Sequence, residues 1–231
     1  MCGRFTQIMT WAEIHALYEM NDPAVSNLEP RYNISPTDPA WVVLRNDDGK
    51  ISAERMRWWL VPSFWKKKIR EVPATFNARC ETVTTAPMFK QAYRTKRCVV
   101  PASGFYEWSG PKADRLPWYI TSTNGLPLSI AGLWERWTDP ETNEAVRSFT
   151  IITTDANTFM GAIHDRMPVI LDHAGIKTWL STADEALLRP APEDTLRAWR
   201  VDKKVNSNRY QEPDAVIPIA DAAGLASMAG A

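Results

Sequence analysis

Short runs of β-branched and aromatic residues, bounded by Pro, Gly or Asn, are the feature that most constrains the fold of this chain. Seven runs are predicted to be strands, over residues 41–44, 56–61, 99–100, 118–121, 128–133, 149–153 and 169–171. These runs outnumber the helical segments and do not alternate with them, unlike the pattern of a doubly wound parallel sheet. The sequence therefore predicts an α+β fold, a single domain with a curved, mostly antiparallel β-sheet or barrel-like core and a few short helices.

Four segments carry the signals of short helices. A helix over residues 10–20 begins with a capping-box pattern, in which a Thr is followed three residues later by a Glu. Apolar spacing predicts a second helix over residues 87–94. A third helix is expected to begin at Asp155 and a fourth at Asp172, because Asp is a preferred N-cap residue.

Length and composition favour one self-contained domain. The chain has 231 residues, of which 45% are hydrophobic, enough to bury a core without metals or disulfides. We expect one domain over residues 1–219 and a flexible tail of small residues over 220–231. The sequence contains no secretory signal and no run of about 18 apolar residues that could span a membrane. Its three cysteines lack Cys-x-x-Cys spacing, so a cytoplasmic protein without metal or cofactor is expected.

Basic residues are concentrated in one part of the chain, although the formal net charge is zero. Between Arg55 and Arg97 there are eleven Lys or Arg residues and two acids. Extended to Trp108, the same stretch holds ten aromatic side chains. Because Lys and Arg neutralise phosphates and aromatic rings stack on bases, this basic aromatic stretch is a candidate nucleic-acid surface. The alternative is a solvated basic surface over an aromatic core.

Cys2 is the most informative candidate for chemistry. Methionine is usually removed before a small second residue, and its removal would leave Cys2 with an amine and a thiol on one carbon frame. An α-amine with a pKa of about 7.7 to 8.0 forms imines at neutral pH more readily than a lysine at about 10.4. After the amine condenses with an aldehyde, the thiol can attack the imine carbon and close a five-membered thiazolidine. The alternative is that Met1 stays and Cys2 is a packing residue.

Four further residues are candidates for proton transfer or substrate positioning. His164 precedes a predicted strand and is the residue type best suited to proton transfer near neutral pH. Glu107 lies among aromatic residues, where desolvation would raise its pKa. Asn77 and Arg79 have the spacing that places both on one face of an extended segment, where they could hold a sugar and a phosphate. The alternatives are a structural His, a surface Glu, a loop Asn and an ion pair between Arg79 and Glu81.

The combination of these residues resembles a known family. Seven segments are similar, in order, to the successive motifs of the SOS response-associated peptidase (SRAP) family, from Cys2 to near Pro218. The seven are residues 1–5, 31–37, 58–65, 77–82, 97–108, 131–135 and 164–171. The resemblance implies a sensor of abasic sites in single-stranded DNA that crosslinks the opened sugar aldehyde to its N-terminal cysteine as a thiazolidine.

Carried over position by position, the resemblance implies roles for ten residues. Cys2 is the nucleophile, and Asn77 positions the amine or the sugar. Glu107 assists opening of the deoxyribose ring, and His164 shuttles protons during imine formation or reversal. The expected DNA contacts are made by Arg4, Asn33, Arg79 and Arg166, with Trp65 and Trp108 stacking or wedging against bases.

Two departures from the family pattern are Trp59, where Trp-Gly-Leu is usual, and Cys80, where Ala is usual. The expected partner is single-stranded or junction DNA containing abasic sites, bound by a monomer. Two alternatives stay open. One is an N-terminal-nucleophile cysteine hydrolase or peptidase, in which Cys2 attacks an amide with its own amine as base. The other is a non-covalent single-strand DNA binder that uses the basic aromatic stretch.

Overall fold

The computed structural model of the protein describes residues 2–20 and 28–220. The tail expected over residues 220–231 therefore lies, apart from Ala220, outside the described residues. The strands are β1 (Arg4–Gln7), β2 (Arg31–Ile34), β3 (Pro39–Arg45), β4 (Ile51–Trp58), β5 (Asn77–Arg79), β6 (Arg97–Ala102), β7 (Gly104–Ser109), β8 (Leu116–Ser122), β9 (Leu128–Thr138), β10 (Ala145–Asp155), β11 (Arg166–Pro168) and β12 (Leu196–Arg200). The helices are α1 (Trp11–Tyr18), α2 (Lys90–Thr95), α3 (Thr158–Gly161) and α4 (His173–Ser181).

Five strands close a ring in which each is hydrogen-bonded to two others. The order is β10, β4, β3, β6, β9 and back to β10. β10 and β4 are parallel, with Phe149 opposite Trp58, and the other four contacts of the ring are antiparallel. β5 and β11 also pair with β10, so this strand connects the ring to two of the segments that carry predicted site residues. The predicted α+β class with a mostly antiparallel, barrel-like core is confirmed.

A second sheet carries the start of the chain. Its strand order is β12, β8, β7, β1 and β2, with antiparallel pairing throughout. β1 is therefore an inner strand, held on one side by β7 and on the other by β2. As a result, the residues just before Arg4 enter the interior of the fold.

The two sheets share one hydrophobic core. Phe5 of β1 packs edge-on against Trp58 of β4, with ring centroids 5.0 Å apart, and Trp58 stacks on Phe149 of β10. Cys2 belongs to the same cluster of buried residues. Gly132 lets β9 and β10 approach, because a Cβ there would lie 2.8 Å from the Thr150 carbonyl oxygen. The start of the chain is thus packed against the barrel.

Two of the four predicted helix starts are confirmed in atomic detail. The α1 cap is a full capping box, in which Glu13 N donates to Thr10 Oγ1 at 3.2 Å and Thr10 N donates to the Glu13 carboxylate. Asp172 caps α4 by accepting from Gly175 N at 2.7 Å. α2 begins at Lys90, later than the predicted residue 87. The longest described helix has nine residues, and no helix among the described residues could cross a membrane.

The predicted N-cap at Asp155 is wrong. Asp155 is the last residue of β10 and pairs with Arg166 of β11, so the strand continues through it. The cap of α3 is Asn157, whose Oδ1 accepts from Met160 N at 2.9 Å. The strand predicted over residues 169–171 is also wrong in position, because the segment that pairs with β10 is β11 over residues 166–168. Ile170 makes only an isolated bridge.

Candidate active site

Cys2 is fully buried immediately before β1. Its carbonyl oxygen accepts a hydrogen bond from Asn77 Nδ2 at 2.8 Å, and its Sγ lies 4.0 Å from the Arg4 carbonyl oxygen. Burial raises the pKa of the Cys2 thiol, and the nearby Glu107 carboxylate adds to the rise. The thiol is therefore neutral at pH 7 in this arrangement, and the residue is anchored through its carbonyl group.

Glu107 is a buried carboxyl group beside Cys2. β1 and β7 pair with Arg4 opposite Tyr106, and this antiparallel register places Glu107 next to the residues that precede β1. Burial raises the pKa of Glu107. The Coulombic interaction with His164 is among the effects that act in the opposite direction and lower this pKa. A carboxyl group with a raised pKa can both give and take a proton near neutral pH.

Asn77 connects the barrel to the start of the chain. It is the first residue of β5 and pairs with Ile151 of β10. Its Nδ2 donates to Cys2, whereas its Oδ1 is buried and has no hydrogen-bond partner among residues 2–20 and 28–220. Because a buried acceptor is costly to leave unpaired, this oxygen is available to an amine or a sugar hydroxyl.

His164 lies in the turn between α3 and β11, with its side chain 26% exposed. Its Nδ1 is 2.9 Å from Arg166 N and 2.9 Å from Asp165 Oδ1. A neutral imidazole satisfies the first contact by accepting at Nδ1, which places its proton on Nε2. A protonated imidazole satisfies the second by donating to Asp165. Both contacts are made by Nδ1, so the turn holds the imidazole by one of its two ring nitrogens.

Arg166 is held by carboxylates close to the candidate site. Its Nη1 and Nη2 donate to the two carboxylate oxygens of Glu81 at 2.5 and 3.0 Å. Further contacts run from the same guanidinium to Asp155 and to the Thr153 carbonyl oxygen. These hydrogen bonds from Arg166 lower the pKa of Glu81 to about 2. The phosphate contact expected for Arg166 stays a prediction, and Glu81 pairs with Arg166 rather than forming the suggested pair with Arg79.

Arg4 and Asn33 connect β1 and β2 to residues 205–207 through hydrogen bonds. Arg4 Nη1 donates to Asn33 Oδ1 at 2.9 Å and to the Val205 carbonyl oxygen at 3.0 Å. Asn33 is buried, and its Nδ2 donates to the carbonyl oxygens of Val205 and Ser207. Both side chains therefore have structural contacts, and their roles in DNA binding stay predictions.

The two tryptophans predicted to contact bases are each half-buried. Trp108 Nε1 donates to Asn206 Oδ1 at 2.7 Å, and the Arg4 guanidinium lies 5.9 Å from the Trp108 ring centroid. Trp65 Nε1 donates to the Lys68 carbonyl oxygen. Arg79 is exposed at the end of β5, two residues from Asn77. It is therefore the predicted phosphate ligand that is most open to solvent.

Two cavities differ in their relation to these residues. A cavity of about 460 Å³ is lined by Arg4, Trp108, Arg115, Lys203 and Asn206, among others, and is rich in basic groups. A larger cavity of about 690 Å³ is lined by residues of α4 and of segments 122–129 and 187–195, and it contains none of the predicted site residues. Among the described residues, no three His, Cys, Asp or Glu side chains are grouped to hold a metal ion.

The sequence predictions missed the carboxylates that hold Arg166. The sequence predicts Glu81 only as a partner of Arg79 and Asp155 only as a helix cap. No local pattern marks either residue, because Glu81 and Arg166 are 85 positions apart in the chain. The one available signal was the position of Glu81 within the family-like segment 77–82.

Comparison with known proteins gives a consistent result. Residues 1–208 match the sequence model of the SOS response associated peptidase (SRAP) family. Abasic site processing protein YoqW of Bacillus subtilis is 34% identical over 225 residues, covering 94% of this chain and 99% of that protein. Abasic site processing protein HMCES of Xenopus tropicalis is 31% identical, covering 83% of this chain and 67% of that protein.

Solved structures show the same fold. A crystal structure of a protein from Bacteroides thetaiotaomicron matches with a TM-score of 0.83 at 24% identity, covering 94% of this chain and all of that one. A phage-related protein from Bordetella bronchiseptica matches with a TM-score of 0.71 at 30% identity, covering 92% of this chain and all of that one. Together with the family match over most of the chain, these likenesses show that the chain belongs to the SOS response associated peptidase family.

Proposed function

We propose that this protein senses abasic sites in single-stranded DNA and crosslinks to the sugar aldehyde through Cys2 as a thiazolidine, which shields the lesion. Its relatives YoqW and HMCES are abasic site processing proteins, which supports action on abasic sites. The observation that carries the proposal is the grouping of a buried second-residue cysteine with Asn77 and Glu107, and of Glu107 with His164. An amine, a thiol and two proton-transfer groups are the set that thiazolidine formation needs.

The reaction balances without an oxidant or a cofactor. Removal of Met1 frees the Cys2 amine, which adds to the aldehyde carbon and forms an imine with loss of one water molecule. The Cys2 sulfur then attacks the imine carbon, and the thiol proton passes to the imine nitrogen as the C–S bond forms. We expect the amine to react first and the thiol second, because the imine carbon is the electrophile on which the thiol closes the five-membered ring.

Each neighbouring side chain has a distinct task in this scheme. Glu107 takes the proton of the sugar hydroxyl and returns one to the ring oxygen, which opens the deoxyribose. His164 donates a proton to the departing hydroxyl during imine formation, which leaves as water, and takes a proton back from water when the imine is hydrolysed on release. Asn77 holds the Cys2 carbonyl through Nδ2 and offers Oδ1 to the amine or the sugar.

DNA binding is assigned to three arginines and to two tryptophans of the basic aromatic stretch. Arg79, with Arg4 and Arg166, contacts phosphates, and the bases beside the lesion stack on Trp65 and Trp108. The basic cavity beside Trp108 supports this assignment. In this proposal the protein is a cytoplasmic, DNA-associated monomer.

A second candidate function is peptide hydrolysis by Cys2 as an N-terminal nucleophile. The description of the family as peptidases favours it, and self-removal of Met1 would itself be a peptidase reaction. A non-covalent single-strand binder is the third candidate. The three candidate functions predict different masses for the protein after it is mixed with an abasic oligonucleotide.

The test is intact mass spectrometry of the purified protein before and after mixing with a single-stranded abasic oligonucleotide. We expect a mass without Met1 and an adduct that lacks one water molecule and survives heating. Cys2→Ala should abolish the adduct, and Cys2→Ser should leave only an adduct that requires reductive trapping. Cys80→Ala, which removes a half-buried thiol outside the proposed reaction, is the matched control and should react normally. Retention of Met1 in reacting protein, or a heat-stable Cys2→Ser adduct, would refute the mechanism.

A further inference from the structure

Two consecutive tryptophans bind the same short segment of the chain. Trp58 Nε1 donates to the Phe76 carbonyl oxygen at 2.8 Å, and Trp59 Nε1 donates to the Pro73 carbonyl oxygen at 2.9 Å. In a regular strand, consecutive side chains point to opposite faces and could not reach one segment. Here β4 ends at Trp58, and the next residue leaves the strand geometry. The two indoles therefore hold both ends of the segment over residues 73–76.

The backbone at Trp59 is strained. Its φ is +155°, in a region that residues with a side chain rarely adopt. Such a conformation persists only where the surroundings hold it in place. Trp59 N donates to the Phe149 carbonyl oxygen at 3.0 Å, and Arg57 Nη1 donates to the Trp59 carbonyl oxygen at 3.3 Å. Both backbone groups of Trp59 are thus bound, which holds the residue in this conformation.

The segment held by the indoles leads directly into Asn77. The Phe76 ring lies between the two tryptophans, with ring centroids 6.1 Å from Trp58 and 5.3 Å from Trp59. The Phe76 carbonyl oxygen also accepts from Ile151 N at 3.1 Å, which starts the pairing of β5 with β10. A shift of Phe76 would therefore move Asn77 relative to Cys2.

We propose that Trp59 is a positioning residue for Asn77. Its indole holds the Pro73 carbonyl and packs on Phe76, so that the Asn77 amide stays within hydrogen-bond distance of the Cys2 carbonyl oxygen. The inference rests on the proposed crosslinking function, because Asn77 acts there through Cys2. Trp59 itself contacts neither Cys2 nor, in this proposal, the DNA.

The main test is a double-mutant cycle on the crosslinking rate at saturating abasic oligonucleotide. Trp59→Phe keeps a ring and the strained backbone but removes the indole N–H. We expect it to slow crosslinking about 3- to 10-fold, the effect of one lost hydrogen bond. In the Asn77→Ala background, Trp59→Phe should not lower the crosslinking rate further, because the Asn77 amide that Trp59 positions is already absent. Affinity for an undamaged single strand should not change in either background.

Trp199→Phe is the matched control. Trp199 is also half-buried and donates from Nε1 to a backbone carbonyl, that of Val216, at 2.9 Å. Trp199→Phe tests whether the loss of any indole hydrogen bond slows crosslinking. We expect this variant to crosslink at the rate of the unmodified protein. An equal loss in Trp59→Phe and Trp199→Phe would overturn the proposal. The proposal would also be overturned if Trp59→Phe lowered the crosslinking rate equally in the parent and in the Asn77→Ala background. Weaker binding of the undamaged single strand by Trp59→Phe would overturn it as well.

A second measurement does not depend on crosslinking. In NMR spectra of the free protein, the Asn77 side-chain amide protons should shift and exchange faster with solvent in Trp59→Phe, but not in Trp199→Phe. Unchanged Asn77 signals would overturn the inference even if the rate fell. If the unmodified protein formed no adduct, the proposed function would fail. If it formed the adduct and Trp59→Phe did not change the crosslinking rate, only the role of Trp59 would be refuted.

Discussion

Replacing Glu81 by Gln tests the electrostatic account of the candidate site. Both carboxylate oxygens of Glu81 accept hydrogen bonds from Arg166, whose side chain is only 9% exposed. Gln keeps the shape of Glu but removes the charge and turns one acceptor into a donor. The change leaves a nearly buried guanidinium with Asp155, the Thr153 carbonyl oxygen and only one side-chain oxygen at position 81 as its acceptors.

The size of the effect follows from the pKa of Glu81. Arg166 lowers this pKa from 4.5 to about 2, which corresponds to about 3 kcal/mol at roughly 1.4 kcal/mol per unit. The Glu81 side chain is 45% exposed, so solvent screens the interaction and reduces its contribution. We therefore expect Glu81→Gln to lower the free energy of unfolding by about 1 to 2 kcal/mol at pH 7.

The pH dependence has a definite sign. A carboxyl group with a lowered pKa in the folded state contributes stability that is fully present above its unfolded pKa of 4.5. That stability is lost as the pH falls towards 2. Urea unfolding at pH 7 and pH 3 should therefore show a smaller difference between parent and Glu81→Gln at pH 3, less than half of the pH 7 value.

Glu19→Gln is the control for this experiment. Glu19 forms an ion pair with Lys177 in which both side chains are more than half exposed, so its loss should leave the urea midpoint unchanged. A Glu81→Gln effect of equal size at pH 7 and pH 3 would show that the loss comes from packing. No effect at pH 7 would refute the role assigned to the Glu81–Arg166 pair.

Four further changes have expected outcomes. Glu107→Gln should slow crosslinking to a closed-ring abasic site by about 10²-fold, and much less with a small free aldehyde, as measured on denaturing gels; equal losses would refute ring opening by Glu107. His164→Ala should slow both reactions and the release of a preformed adduct by about 10²-fold, and normal release would contradict its role in reversal. Arg79→Ala should lower the slope of log affinity against log salt by about 0.7 in titrations of single strands, and an unchanged slope would exclude a phosphate contact. Thr10→Ala should lower the free energy of unfolding by about 1 kcal/mol in urea, since the α1 capping box loses one of its two partners; an unchanged midpoint would mean that the cap contributes nothing.

Local sequence signals predicted the fold class and a barrel-like core, but not which strands pair to close the barrel. The strand-like runs and the α1 and α4 caps are local features. Six of the seven runs overlap strands of the structure and both caps are confirmed, whereas the run over residues 169–171 lies beyond β11. The short strand β5 has the sequence Asn-Ala-Arg and no strand propensity of its own. It is extended because it pairs with β10, more than 70 positions later in the chain. Pairings of this kind depend on the whole fold.

The same distinction applies to the candidate site. The residue types of Cys2, Asn77, Glu107 and His164 indicate chemistry from the sequence alone, because amine, thiol, amide, carboxyl and imidazole groups have known reactivity. Their partners do not follow from the sequence. The contacts of Arg4 with Val205 and Asn206 cross about 200 positions of the chain, and no periodicity predicts them.

The central position of β1 in its sheet has a consequence for the order of events during synthesis. β1 is among the first parts of the chain to be made, but its neighbour β7 begins at Gly104 and ends at Ser109. At about 5 to 20 residues per second, a ribosome needs roughly 5 to 20 s to make the intervening chain. Until then the second sheet cannot enclose Cys2. The nascent chain therefore leaves Cys2 uncovered for several seconds, and in this interval the fold does not hinder the proposed removal of Met1.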